Sequence, residues 1–318
     1  MSNDSAAIQR ILVATDFSPH SDAALQKALH VARASGAELT LLHVLTDLRT
    51  AMADMSYEGR WQLVGGDLEK FQKELYADSE KKLTDQLARL DSSGVVVHKQ
   101  SEMGTAYIKI IQVVQQVKSD LVVVGTRGVT GLQRMVVGST AERLLRHCPA
   151  PVWIVKSESA GALKKVLVAT DFSPVSGHAL QVAAQLARGA QAELDVIHVI
   201  ESAESIVSAE QMTELGLSVR KINNAAKKQF ADFTHAAIGD FSEDHMRVVK
   251  GKPWKAISDQ SRRMSVDLIV LGTVGRSGIP GILLGNTAEK VLQNSKCDML
   301  AVKPVDFVSS IEPSVQVT

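Results

Sequence analysis

Two glycine-rich segments of the sequence combine the residue types and the spacing of a phosphate-binding loop. The first contains Gly125, Gly128 and Gly138 in the pattern Gly-x2-Gly-x9-Gly, followed directly by Ser139 and Thr140. Glycine lets backbone amides approach an anion closely and can adopt positive φ angles. The hydroxyl residues then open a predicted helix, whose first amides and dipole favour a phosphate group. The segment therefore predicts phosphate binding through backbone amides and two hydroxyl groups.

The second segment repeats the first with one change, because asparagine stands in the place of the serine. Its residues are Gly272, Gly275, Gly285, Asn286 and Thr287. Neither segment has the lysine of a Walker loop, and neither is the Gly-x-Gly-x-x-Gly dinucleotide fingerprint. A purely structural interpretation also stands, because Ser139-x-x-Glu142 and Asn286-x-x-Glu289 are good helix-capping sequences.

The glycine segments belong to a duplication that runs through the whole sequence. The run ILVATDFSP at 11–19 returns as VLVATDFSP at 166–174, which is 155 residues later. A period of this length is that of a duplicated domain rather than of a solenoid repeat. We therefore predict two domains at 1–156 and 164–305, a linker at 157–163 and a loose tail at 306–318.

Each copy alternates short apolar runs with longer amphipathic ones, which predicts an α/β fold with a parallel sheet. The strands expected in the first copy are 11–15, 39–44, 95–97, 121–124 and 152–155. Ser18 and Pro19 should start the first helix, which should end near Gly36. A long helix is expected over 68–90. The pattern fails at 46–66, which is either a lid over a site or a partly helical excursion on the surface.

Composition limits the classes of function. The 318 residues are 45% hydrophobic, and 35 basic residues balance 35 acidic ones, so no basic field favours nucleic acid. Two cysteines, Cys148 and Cys297, suit neither a disulfide framework nor a metal cluster. The first ten residues lack an apolar signal core, and no run is apolar for long enough to span a membrane. We expect a cytoplasmic protein with no membrane span.

Three features recur at predicted strand ends, where an open parallel sheet binds its ligands. They are Asp16, His43-Val44 and Gly125 in the first copy, with Asp171, His198-Val199 and Gly272 in the second. We interpret the aspartates as ligand contacts, as caps of a turn or, less readily, as catalytic groups. The histidines are interpreted as satisfied polar groups of the sheet rather than as metal ligands.

The glycine pattern at the fourth strand, together with Ala-Thr-Asp-Phe-Ser after the first, resembles the universal stress protein family in its tandem, two-domain form. The resemblance covers nearly the whole chain. It implies two doubly wound five-stranded parallel sheets of order 3-2-1-4-5, of the adenine nucleotide alpha hydrolase-like, Rossmann-like type. It also implies ATP or AMP, with Mg²⁺, in the crevice, pairing of the two domains through their fifth strands, and a homodimer as a further level of assembly.

By position, the resemblance also implies site residues for both copies. The adenosine side of the first crevice would be lined by Ala14, Thr15, Asp16 and Val44. Ribose and phosphates would contact Val124, Gly125, Arg127, Gly128, Gly138, Ser139, Thr140 and Ala141. The residues matching in the second copy are Ala169, Thr170, Asp171, Val199, Gly272, Gly275, Gly285, Asn286 and Thr287. Because Asn286 is bulkier than serine and Val274 stands in the place of Arg127, we expect the first copy to be the favoured site.

Three functions are compatible with the sequence. The first is a nucleotide-binding regulatory protein of the cytoplasmic stress response, which signals through a ligand-dependent conformation to protein partners. The second is a scaffold whose sites have drifted, or whose second crevice binds a non-nucleotide, lipid-like ligand. The third is a slow ATPase or autokinase, although no catalytic assembly is recognisable. We name no catalytic residue and no metal ligand.

Overall fold

The computed structural model describes residues 8–46, 68–126, 137–156, 161–201, 219–274 and 284–314. Most of the segment at 46–66 and most of the predicted linker lie outside these residues. The chain divides into two compact units, each built mainly from one sequence repeat. No helix of the described residues is both long and apolar enough to cross a membrane.

The described part of the N-terminal unit contains five strands and four helices. They are β1 (Arg10–Thr15), α1 (Pro19–Ser35), β2 (Glu38–Leu45), α2 (Leu68–Ala88), β3 (Val97–Met103), α3 (Ala106–Val117), β4 (Leu121–Gly125), α4 (Ser139–His147) and β5 (Val152–Val155). All strand pairs are parallel, in the order β3-β2-β1-β4-β5. The predicted order 3-2-1-4-5 is therefore confirmed for this repeat.

The C-terminal unit repeats this architecture. Its elements are β6 (Lys165–Thr170), α5 (Pro174–Ala190), β7 (Glu193–Ile200), α6 (Val219–Ile238), a short 3-10 helix (Glu243–His245), β8 (Met246–Lys250), α7 (Pro253–Arg263), β9 (Leu268–Gly272), α8 (Asn286–Asn294) and β10 (Asp298–Val302). The strands are parallel in the order β8-β7-β6-β9-β10. The duplication of the sequence is thus a duplication of the fold.

The central strands are buried on both faces, which explains their continuous apolar sequences. Leu12, Val13 and Val123 have no exposed surface. Helix α1 starts and ends where the sequence predicts, since Ser18 Oγ accepts a hydrogen bond from Ser21 N at 3.3 Å. At the other end Gly36 adopts φ 72°, a left-handed conformation that glycine favours.

The third strand is longer and more polar than predicted. The sequence favoured 95–97, whereas β3 spans Val97–Met103 and is mostly half-buried. It lies at the outer edge of its sheet, next to β2. An edge strand with one open side tolerates polar residues, so the apolar pattern stops short of the real strand.

The C-terminal tail, expected to be loose, is hydrogen-bonded to helices of the N-terminal unit. Gln115 Nε2 donates to Ile311 O at 3.1 Å. Ser309 Oγ donates to His147 O at 2.8 Å, and the Oγ of Ser310 lies 3.0 Å from His147 Nδ1. These contacts attach the segment after 307 to α3 and to the end of α4.

Candidate functional site

A crevice of about 240 Å³ lies at the carboxyl ends of β1, β2 and β4 in the N-terminal unit. Ten of the twelve residues assigned to this copy line it: Ala14, Thr15, Asp16, Val44, Val124, Gly125, Gly138, Ser139, Thr140 and Ala141. The other two, Arg127 and Gly128, lie outside the described residues. The strand ends and the start of α4 therefore converge on one cavity.

The C-terminal unit has a crevice at the corresponding strand ends, with a larger volume of about 640 Å³. Eight of the nine residues assigned to this copy line it: Ala169, Thr170, Asp171, Val199, Gly272, Gly285, Asn286 and Thr287. Gly275 lies outside the described residues. Thr273 Oγ1 also borders this crevice and is buried without a hydrogen-bond partner.

The helix that borders each crevice begins without a side-chain cap. Gly138 is the N-cap of α4, and its carbonyl oxygen accepts from Glu142 N at 3.0 Å. Ser139 is therefore the first helical residue, and Asn286 holds the same place after Gly285 in α8. The capping-sequence interpretation of Ser139 and Asn286 is wrong, because each side chain lies one position too late to cap. No side chain satisfies the N-cap hydrogen bond at either helix.

The glycines at these helix starts allow close packing rather than an unusual backbone conformation. Gly138 has φ −61° and Gly285 has φ −71°, so the positive φ expected for glycine is not used at these positions. A Cβ on Gly138 would lie 3.2 Å from Thr126 O, the atom to which Gly138 N donates at 2.8 Å. A Cβ on Gly125 would lie 2.9 Å from the backbone carbon of His20.

The turn after β1 is held by a network that includes Asp16. The carboxylate Oδ1 accepts from Ser18 N at 3.1 Å. Phe17 has φ 64°, a left-handed conformation that costs a non-glycine residue about 1–3 kcal/mol. Thr15 Oγ1 supports this turn by accepting from Phe17 N and donating to Ser21 Oγ, both at 3.0 Å. Asp16 therefore shapes the turn that borders the crevice.

The same turn recurs in the C-terminal unit. Asp171 Oδ1 accepts from Ser173 N at 3.1 Å and from Ser173 Oγ at 2.6 Å. Phe172 has φ 65°, and Thr170 Oγ1 accepts from its amide at 3.0 Å. The repeated Thr-Asp-Phe-Ser sequence thus encodes one strained turn that is built twice.

The recurring histidines connect β2 to β1 and β7 to β6. His43 Nδ1 lies 2.8 Å from Thr15 O and donates to it, and its ring lies 4.4 Å from that of Phe17. Burial lowers the pKa of His43, and the hydrogen bond to Thr15 only partly offsets that effect. His198 repeats the contact, with Nδ1 2.9 Å from Thr170 O.

Several lining residues were not assigned as ligand contacts from the sequence, although it placed His43, His198 and Val274 near the site. In the N-terminal crevice they are Ser21, Leu42, His43, Ala106, Ile110 and Thr126. In the C-terminal crevice they are Ser176, Ile197, His198, Ile200, Glu201, Pro253, Ile257, Leu271, Thr273, Val274 and Ala288. The recurrence of the two histidines was a usable signal. Ala106 and Ile110 come from α3, whose apolar periodicity indicates burial but not which face borders a cavity.

The chain matches the model of the universal stress protein family over residues 7–156 and 162–303. It is 31% identical over 219 residues to universal stress protein E of Escherichia coli K12, which covers 64% of this chain and 66% of that protein. It is 26% identical to universal stress protein E of Photorhabdus laumondii over 318 residues, covering 96% and 98%.

A crystal structure of a universal stress protein from Archaeoglobus fulgidus has a similar fold. Its TM-score is 0.67 at 20% sequence identity, and the match covers 92% of this chain and 98% of that one. At 20% identity this similarity shows the fold alone. Membership of the family is shown by the family model, which matches both repeats. The chain therefore belongs to the universal stress protein family, as a member with two tandem domains.

Proposed function

We propose that this protein is a regulatory protein of the stress response whose N-terminal crevice binds ATP or AMP. The observation that carries the proposal is the start of α4, which borders the crevice and has no side-chain cap. Uncapped first-turn amides and the positive end of the helix dipole favour a phosphate group at this position. The hydroxyls of Ser139 and Thr140 add two further donors.

The rest of the crevice suits an adenosine group. Ala14, Leu42, Val44 and Ile110 supply apolar lining for the faces of a purine ring. Asp16 is the one carboxylate among the described lining residues. One of its oxygens already accepts from Ser18 N, so Mg²⁺ in this site would depend mainly on phosphate oxygens.

The proposed output is a conformation rather than a product. Phosphoryl transfer requires a group that orients the nucleophile and compensation of the developing charge. Asp16 accepts a hydrogen bond from Ser18 N, and His43 donates one to Thr15 O. Both side chains therefore already have structural partners in the walls of the crevice. A slow ATPase or autokinase is therefore the weaker proposal. Pairing of the domains through their fifth strands, a homodimer, and a cytoplasmic location stay predictions.

A different function for the second crevice is the alternative proposal. Its volume is larger, Asn286 stands at the helix start in place of serine, and Thr273 Oγ1 has no hydrogen-bond partner. A ligand without a terminal phosphate, or one that is not a nucleotide, fits these features better than ATP. On this proposal the second repeat binds ATP weakly or not at all.

Calorimetric titration of ATP with Mg²⁺ into the intact chain tests the first proposal. We expect one binding site, lost in Gly138→Val, because the branched side chain meets Thr126 O and fills the phosphate end of the crevice. The matched control is Gly285→Val, whose Cβ meets Thr273 O at 3.1 Å in the other repeat. Absence of binding heat, or binding that survives Gly138→Val and disappears in Gly285→Val, would contradict the proposal.

A further inference from the structure

A second group of ligand-type side chains lies in the C-terminal unit, at the end of the sheet opposite its crevice. Glu193 and Asp195 come from the first residues of β7, and His245 directly precedes β8. One potential ligand atom from each side chain lies within 4.8 Å of the others. From this geometry we propose that Glu193, Asp195 and His245 bind a divalent transition-metal ion of the Zn²⁺ class.

The distances fit a small ion held by three protein ligands. His245 Nδ1 lies 3.5 Å from Glu193 Oε1 and 3.5 Å from Asp195 Oδ1. Tetrahedral zinc with nitrogen and oxygen ligands at about 2.0–2.2 Å separates its ligand atoms by about 3.3–3.6 Å. The side chains of Glu193 and His245 are 43% and 39% exposed, so the cluster lies near the protein surface.

Two buried atoms of the cluster lack hydrogen bonds, which is an observation independent of the spacing. Asp195 is fully buried, and its Oδ2 lacks a hydrogen bond of good geometry, with Lys165 Nζ 3.4 Å away as an ion-pair partner. His245 Nδ1 is likewise buried and has no hydrogen-bond partner. Leaving buried polar atoms unsatisfied is costly, so a ligand at this point would stabilise both.

Arg247 would orient the Asp195 carboxylate toward the ion. Its guanidinium donates to Asp195 Oδ1 from Nε at 3.2 Å and from Nη2 at 3.0 Å. Ligating carboxylates commonly receive such hydrogen bonds from a neighbouring side chain, which fixes their rotamer. These bonds hold the carboxylate with Oδ1 3.5 Å from His245 Nδ1 and Oδ2 3.4 Å from Lys165 Nζ.

Lys165 is the competitor that an incoming metal ion must displace. Its Nζ lies 3.0 Å from Glu193 Oε2 and 3.4 Å from Asp195 Oδ2. Together with Arg247 it balances the charge of both carboxylates, so it opposes binding of a second cation. The lysine side chain is long and partly exposed, and it can leave Asp195. Removing its charge should therefore strengthen metal binding.

The N-terminal unit has an incomplete version of the cluster and provides an internal control. Glu38 and His98 occupy the corresponding strand positions, with Oε2 and Nε2 3.3 Å apart. Thr40 pairs with His98 across the strands at the place that Asp195 has in β7. This repeat therefore offers two ligands, which is too few for a stable site.

The experiment is a Zn²⁺ titration of the untagged intact chain against a chromophoric chelator. We expect one site, with affinity reduced about tenfold or more in His245→Ala and Asp195→Thr, unchanged in His98→Ala and raised in Lys165→Met. Asp195→Thr introduces the residue of the other repeat. His245 is partly exposed, so His245→Ala keeps the test valid if the Asp195 variant fails to fold.

Co²⁺ supplies a second readout that an unspecific surface site does not give. The wild-type chain should develop the strong visible absorption of tetrahedral Co²⁺, and His245→Ala should lose it. The proposal is overturned if Zn²⁺ affinity is the same in wild type and His245→Ala, or if His98→Ala lowers it equally. It is also overturned if Lys165→Met leaves the chain without Zn²⁺ binding, because the cluster is then an ion-pair network only.

Discussion

His43 illustrates how single side chains hold the N-terminal crevice together. Its Nδ1–H bond to Thr15 O joins β2 to β1, and its ring lies against Phe17, the strained residue of the turn. Burial lowers the pKa of this imidazole, so it is neutral at pH 7. A protonated His43 would carry an unfavourable charge in this environment.

This burial predicts a loss of stability in mild acid. The unfolded chain binds a proton at His43 near pH 6.5, whereas the lowered pKa keeps the folded form neutral until a lower pH. The stabilisation is thus present above about pH 6.5 and is lost as the pH falls through the folded pKa. Melting temperatures measured between pH 8 and pH 5 should fall less steeply for His43→Gln than for wild type. An equally steep fall in His43→Gln and in wild type would contradict this origin of the acid sensitivity.

For single residues, the sequence predicted which side chains lie at the crevice better than it predicted what each side chain does there. The recurrence of Asp16 and Asp171 located the turn at the crevice, but not the hydrogen bonds to Ser18 N and Ser173 N that hold it. The interpretation of Ser139 as the helix cap was wrong, because the helix begins one residue earlier than the capping sequence suggests. The sequence pattern is the same for both starting points.

Among the secondary structure elements, the contact of α1 with β4 depends on Gly125. A methyl group there would lie 2.9 Å from both the backbone carbon and the Cβ of His20. Because the helix backbone cannot yield as a side chain can, Gly125→Ala should destabilise the N-terminal unit by about 1–3 kcal/mol. Scanning calorimetry of the intact chain measures this as a lower melting temperature.

Two other glycines make that prediction specific. A Cβ on Gly272 would lie 2.9 Å from a methyl group of Val175 and 3.5 Å from the closest backbone atoms, so the cost of Gly272→Ala should be smaller. Gly189→Ala, in α5 with no atom within 4 Å of the new Cβ, should leave the melting temperature unchanged or slightly raised. An equal effect of all three substitutions would show that the close approach at Gly125 has no special importance.

The hydrogen-bonded tail predicts that truncation weakens the N-terminal unit rather than the C-terminal one. Deleting 308–318 removes the bonds from Gln115 to Ile311 and from Ser309 to His147. Each bond contributes about 0.5–1.5 kcal/mol, so we expect a loss of about 1–3 kcal/mol. Hydrogen exchange should accelerate in α3 and at the end of α4 while β6 and β9 stay protected. Unchanged exchange in α3 would mean that the tail adds nothing to its stability.

The elements that the sequence predicted well are those with strong patterns. Buried strands such as β1 and β4 have continuous apolar runs, and α1 has clear signals at both ends. The polar edge strand β3 and the docked tail lack such patterns. Their positions depend on contacts with residues distant in the sequence, which no local pattern records.

For the whole molecule, each of the two duplicated units has the same fold and one crevice at its strand ends. The two crevices differ in volume and in the residue at the helix start. The N-terminal one has about 240 Å³ and a serine at its helix start, and the C-terminal one has about 640 Å³ and Asn286. From Asn286 and Val274 the sequence predicted that the N-terminal crevice is the favoured nucleotide site, which stays a prediction. The difference in volume, and the three-residue cluster around Asp195, depend on packing and could not be read from it.

The central claim is that nucleotide phosphates bind at the start of α4 and not at the start of α8. Amide NMR of the ¹⁵N-labelled chain during titration with ATP and Mg²⁺ tests it most directly. We predict that the amide signals of Ser139, Thr140 and Ala141 shift with ATP and not with adenosine, while those of Asn286 and Thr287 stay in place. Shifts confined to Asn286 and Thr287, or no shift at either helix start, would contradict the claim.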